Sequence, residues 1–152
     1  MAAQTITWHW SAFYELSLDE LYDILTLRSA VFVVEQACPF LDMDGLDKQS
    51  WHLFGRSGDE LIAYARVSPP GLRGDYPSIG RIMTVKSWRR RGLGTSLMRE
   101  AIRRTRESFP QRTIRIFAQL YLEKFYTAFG FYRASEPYEE DGIPHIEMLL
   151  YF

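Results

Sequence analysis

One cysteine, Cys38, stands among 152 residues. It cannot close an internal disulfide, which suits a reducing compartment and excludes the disulfide-stapled class of small domain. No apolar run approaches the ~20 residues needed to cross a bilayer. The opening stretch MAAQTITWHW lacks both a basic flank and an apolar core segment, so no signal peptide is expected. A cytoplasmic protein with no membrane partner is the expectation. Repeats, low-complexity tracts and linkers are missing too, so residues 1–152 read as a single domain. Metal-ligand spacing is also absent. The three histidines are scattered, with no HxxxH or CxxC pattern. A calcium loop begun at Asp42 in DMDGLD would need glycine and glutamate where Asp47 and Leu53 stand. No metal is expected.

What is present is a core. Hydrophobic residues make up 47% of the chain and aromatic residues 15%. That excludes a disordered tail and leaves room for a self-associating face. Formal net charge is −1, but the charge is segregated. Ten basic and two acidic residues fall between Lys86 and Arg115. Acid collects in DMDGLD (42–47) and EPYEEDG (136–142). Such a division fits a domain that meets an anion on one side and a cation on another.

Periodicity predicts alternating elements. Residues 5–14 are rich in β-formers, and Ser17 with Glu20 forms an S-x-x-E capping box. Leu21, Ile24, Leu25, Val31 and Phe32 then follow a helical stripe that ends near Gln36. Residues 37–49 read as loop, and 51–56 and 61–68 as a hairpin. Residues 78–85 form the next strand. Leu93, Leu97, Ala101, Ile102, Thr105 and Phe109 mark a helix that Pro110 ends. A strand over 113–118 and a helix over 120–129 follow, the helix stopped by Gly130. Strands over 131–134 and 145–151 complete a mixed α/β sheet with helices on both faces.

The stretch SWRRRGLGTSL (87–97) lies between a strand and a helix. The first amides of a helix have no internal partners and carry the positive end of the macrodipole. Gly92 and Gly94 let the backbone approach an anion, and Arg89, Arg90 and Arg91 add charge there. The pattern is neither a Walker loop nor a Rossmann fingerprint, since no Gly-Lys-Ser/Thr follows and position 97 is leucine. A phosphate cradle and a basic, solvated helix start both remain open from spacing alone. A nucleic-acid clamp is disfavoured, because the domain is not basic overall and no aromatic platform interleaves the basic run.

R89-x-x-G92-x-G94 resembles the acyl-CoA pyrophosphate loop of the GCN5-related N-acetyltransferases (GNAT). AQLYLEKFYTAFGFY (118–132) resembles that family's second signature, a tyrosine four residues before Gly-Phe. Residues 28–47, HLFG with AYARV (52–67) and EDGIPHIEM (140–148) resemble its ElaA-like branch. Two departures flank the loop: Lys86 where proline is common, and Arg90 where glycine is common.

The resemblance implies a mostly antiparallel GNAT-like sheet and acetyl-CoA as co-substrate. It implies that Ile82, Met83 and Thr84 splay from the strand over 113–118 to admit the pantetheine arm. It also implies that the amides of Arg90, Arg91, Gly92, Leu93, Gly94 and Thr95 hold the pyrophosphate, and that Gln119 reaches the cofactor. Tyr126 becomes the general acid. An aromatic core position is the competing reading of Tyr126, and a plain helix residue that of Gln119. Acyl transfer needs a neutral amine, a polarised carbonyl and a proton for the leaving sulfur. His145 and His52 are candidate bases, beside Glu35, Asp44, Asp47 and Glu140; a water chain would also serve. Cys38 has no partnered histidine in sequence and reads as a bystander. The expectation is an N-acetyltransferase acting on a small-molecule or peptide amine, cationic by the sign of the acidic stretches. A non-catalytic acyl-CoA-binding or interaction module on the same fold is the alternative.

Overall fold

The computed structural model describes residues 5–152; the first four residues of the N-terminal stretch read for a leader lie outside that range. The strands are β1 (Thr7–Ala12), β2 (Trp51–Ser57), β3 (Glu60–Ser68), β4 (Ser78–Thr84), β5 (Ile114–Gln119), β6 (Tyr132–Arg133), β7 (Tyr138–Glu140) and β8 (Ile143–Leu150). They join one mixed sheet in the order β1-β2-β3-β4-β5-β8-β6, with β7 also paired to β8. Every pairing is antiparallel except β4 with β5.

Three helices cover the two faces. α1 (Leu18–Arg28) starts as the capping box requires: the Glu20 amide donates to Ser17 Oγ at 3.0 Å, and Glu20 accepts from the Ser17 amide at 2.8 Å. It then runs into a π-helical segment, Ser29–Glu35, which rotates the apolar stripe. Ile24 and Val31 are buried against Phe54, Tyr64 and Met83, with Leu27 and Phe32 packed beside them. On the opposite face, Leu93, Leu97, Met98 and Ala101 of α2 (Leu93–Ser108) meet Leu53, Ala63, Ala65 and Val67. α3 (Glu123–Thr127) is shorter than the helical pattern over 120–129 suggests. Its approach, Leu120–Leu122, is a 3₁₀ turn, and Gly130 ends it at φ +101°. The β7–β8 hairpin escaped the sequence reading because YEEDGIP is polar and too short to show alternation. No helix among the described residues is long and apolar enough to cross a membrane.

Candidate active site

β4 and β5 run parallel but share one register pair, Ser78 with Arg115. The Arg115 amide donates to the Pro77 carbonyl at 2.9 Å, which pins the strands at that end. Beyond it they diverge. A cavity of about 610 Å³ opens in the gap, lined by Ile82, Met83 and Thr84 on one wall and Ile116, Phe117 and Gln119 on the other. Parallel strands that part leave backbone donors and acceptors without a ladder, which suits an extended, amide-bearing ligand. β4 carries a bulge here: between the Gly80–Arg66 and Met83–Tyr64 pairs, Arg81 and Ile82 face the single residue Ala65. Arg81 takes φ +50° to make the bend.

α2 begins beside the wide end of this gap. Its N-cap is Gly92, at φ +77°, so no side chain caps the first turn. Ser96 is the first α2 amide bonded to the helix, through the Gly92 carbonyl at 3.1 Å. The amides before it face outward at the positive end of a 16-residue helix. Gly94 sits where a Cβ would lie 3.7 Å from the Phe125 ring, so it brings α2 close to α3. Arg90 holds φ +65°, a conformation that glycine adopts more readily.

The three arginines do not act as a block. Arg89 turns away from the loop. It donates to the Thr84 carbonyl at 2.9 Å and forms an ion pair with Glu35 at the end of the π segment. The hydrogen bond from Arg89 holds the Glu35 carboxyl below its usual range. Arg91 stacks on Trp88 at 5.2 Å. The side chain of Arg89 is thus a clasp between β4 and the Ser29–Glu35 segment, a contact that no spacing in the sequence announces.

Tyr126 is 5% exposed and lines the cavity. Burial raises its phenol well above the ordinary value, and neighbouring Tyr121 adds to the rise. The ring also packs in the core, 5.1 Å from Phe125 and 6.3 Å from Phe131. Tyr126 is thus an aromatic core residue that also reaches the cavity wall. Gln119 ends β5 rather than starting a helix, and pairs in register with His145 on β8.

The two histidines part company. His145 lines the cavity, and its Nδ1 lies 2.7 Å from the Ile143 carbonyl. A carbonyl only accepts, so Nδ1 carries a proton, which leaves Nε2 as the nitrogen that faces other partners. That Nε2 lies 3.8 Å from Glu140 Oε2. His52 is 1% exposed and outside the cavity lining. Its Nε2 donates to the Asp47 carbonyl at 2.9 Å, and its Nδ1 accepts from the Tyr64 hydroxyl at 2.7 Å. With both nitrogens engaged, His52 cannot take a substrate proton; burial, the largest influence on it, lowers its affinity for one.

DMDGLD is not an open acidic rim. Asp42 pairs with Arg28 and Arg81, Asp44 with Arg66 and Arg81, and Asp47 with Arg28 and Arg66. Three carboxylates meet three guanidinium groups, so this stretch has no surplus charge to offer a ligand. Asp44 and Asp47 are thereby paired, although Asp44 also lines the cavity, as do Glu140 and Asp141. Cys38 lines it as well, its sulfur 3.9 Å from the Asp141 carbonyl.

Comparison with known proteins places these features in a family. The acetyltransferase (GNAT) domain model matches residues 32–152. A UPF0039 protein of Synechocystis is 45% identical, covering 95% of this chain and 94% of its own length. An acyl-CoA N-acyltransferase from Pseudomonas aeruginosa superimposes with TM-score 0.93 at 36% identity, covering 96% of this chain and 99% of the other. Escherichia coli ElaA superimposes with TM-score 0.91 at 39% identity, over 96% and 99% of the two chains. A more distant GNAT acetyltransferase from Elizabethkingia anophelis, which shares the fold at 17% identity and TM-score 0.66 over 97% and 98%, has acetyl-CoA bound.

Proposed function

We propose that this chain, which belongs to the GNAT acetyltransferase family, moves the acetyl group of acetyl-CoA onto a primary amine by direct attack of the amine on the thioester. The observation that carries the reading is the gap between β4 and β5, with an uncapped helix start at its mouth and Tyr126 and His145 in its lining.

The residues fit the co-substrate. Backbone groups of Ile82, Met83 and Thr84 would pair with the pantetheine amides, and Gln119 would reach them from β5. The amides from Arg90 to Thr95 would take the pyrophosphate; a Cβ at Gly92 would meet nothing within 4 Å, so there is open space over the loop. Acetyl-CoA supplies an activated acyl thioester. The chain supplies proton handling and position. With Nδ1–H held by the Ile143 carbonyl, His145 Nε2 is the ring nitrogen left to accept the proton of the incoming ammonium, directly or through water, with Glu140 beside it. Tyr126 lines the cavity and, as a phenol, carries its proton at neutral pH, so it is the group available to protonate the departing sulfur. No covalent enzyme intermediate is needed. Cys38 has a backbone carbonyl rather than a base beside it.

A thiol-release assay with acetyl-CoA against a library of small amines and peptides tests this reading. Free thiol should appear in step with acetylated amine. Acetyl-CoA binding without release, across the library, would instead make the domain an acyl-CoA-binding module.

A further inference from the structure

Arg73 sits in the loop between β3 and β4 and lines the cavity. Its guanidinium lies 4.7 Å from the centre of the Phe117 ring on β5. One of its nitrogens, Nη1, lies 3.9 Å from the point that a Cβ on Gly80 would occupy. Thus Arg73 spans from the β5 wall to the β4 wall at the narrow end of the gap.

The other two arginines that line the cavity have carboxylates, and so does Arg115 beside it. Arg81 has Asp42 and Asp44, Arg89 has Glu35, and Arg115, stacked on the same Phe117 ring, has Glu147 at 3.7 Å. Among the described residues, no carboxylate oxygen comes within 4.0 Å of Arg73. The charges that face it are mixed: Arg66 and Arg81 repel it, while Glu140 and Asp44 attract it from beyond contact distance. Burial, with these repulsions, makes its charged form harder to hold than that of an ordinary arginine. A half-buried guanidinium stacked on a ring and left without an anion is costly, and a ligand anion would relieve that cost.

This anion is not the pyrophosphate of acetyl-CoA. The loop proposed for the pyrophosphate follows Thr84, and Gly80 lies four residues earlier, roughly 13 Å away along the strand. Arg73 therefore belongs to the acceptor half of the cavity. Glu140, Asp141 and His145 lie on the same lining and suit an amine.

We infer that Arg73 is a specificity residue for an acceptor that carries a carboxylate as well as its amine, an amino acid or a peptide with a free carboxylate near the reacting amine. The inference rests on the acetyl-transfer reading for the identity of the cavity's two halves. The carboxylate pairs with Arg73, and the amine lies toward His145 and Glu140. Such an acceptor is cationic at the reacting nitrogen and anionic at the recognised end.

The test compares three sets of amines: free L-amino acids, their amides and the corresponding decarboxylated amines, with aminophosphonates as an arm for a phosphate-type anion. The wild-type chain should acetylate the carboxylate set with kcat/KM at least 100-fold above the amide set. Arg73→Gln should erase that preference mainly through KM, with acetyl-CoA affinity unchanged. Equal use of acids and amides by the wild type, a preference for aminophosphonates, or a preference that survives in Arg73→Gln overturns the inference. Binding is read separately, by calorimetry of the protein saturated with CoA. The wild type should bind an amino acid at least tenfold more tightly than its amide, and Arg73→Gln should not. That difference without any acetyl release would uphold Arg73 and defeat the catalytic reading. Acetyl release without that difference would do the reverse.

Discussion

Ser78 and Arg115 form the one register pair between two strands that otherwise run side by side without a ladder. Pairing at one end and divergence at the other turn a central sheet position, which a fold ordinarily seals, into a cavity reaching both faces. The core tolerates the opening because α2 and α3 cover one side and the Ser29–Glu35 segment, clasped by Arg89, reaches the other.

The loop before α2 should be intolerant of a β-branched residue. Gly92 holds φ +77°, where valine costs about 1–2 kcal/mol of backbone strain. Gly92→Val should lower acetyl-CoA affinity tenfold or more in calorimetric titration, with only a modest fall in melting temperature. Unchanged affinity in a folded variant would remove the loop from the site.

Tyr126→Phe keeps the ring that packs against Phe125 and Phe131 and deletes only the hydroxyl. Stability and acetyl-CoA affinity should stay near wild type. The chemical step, measured by single-turnover kinetics with a working acceptor, should fall about 10²-fold or more. A wild-type rate would leave Tyr126 as a core aromatic alone.

The two histidines give opposite signatures. His145→Gln should slow the chemical step by about 10²-fold at neutral pH with little loss of stability. His52→Ala should do the reverse. It strands the Tyr64 hydroxyl and the Asp47 carbonyl, at a cost of about 1–3 kcal/mol each, but should leave turnover by the folded protein intact. Denaturant melts beside steady-state kinetics separate the two.

Acid should weaken the fold through the Asp42–Asp47 network. Burial acts to raise the Asp44 and Asp47 carboxyls, but hydrogen bonds and charge from their arginines outweigh it and hold both below the usual range. Groups depressed in the folded state stabilise it above their unfolded pKa of about 3.9, and that contribution disappears as pH falls through the folded values. Denaturation midpoints should therefore drop below pH ~4. Asp47→Asn weakens two arginine pairs at once, should cost about 3–5 kcal/mol at neutral pH, and should flatten the acid limb. An unchanged pH profile in that variant would contradict the assignment.

Much of this was legible in the residues. Ser17 and Glu20 marked the start of α1, and Gly130 the end of α3, because caps are local chemistry. The β4–β5 gap came from the family likeness of the RRRGLG loop, since divergence between strands leaves no periodic trace. The ion pairing of the acidic loop was missed because its partners are remote: Arg28 and Arg66 stand 14 to 22 residues from the aspartates they hold. A signal was there. An arginine inside the apolar run LIAYARV must bury its charge against carboxylates, and DMDGLD offers three. Neither the turn of Arg89 toward Glu35 nor the position of Arg73 over Phe117 had any such signal.

Amide hydrogen exchange with and without acetyl-CoA tests the central claim most directly. If the gap between β4 and β5 is the acyl-CoA site, protection should rise at residues 82–84 and 90–95, with a smaller rise at 117–119, and stay unchanged along β1 and β2. Protection confined to other segments, or none at saturating acetyl-CoA, would contradict the account.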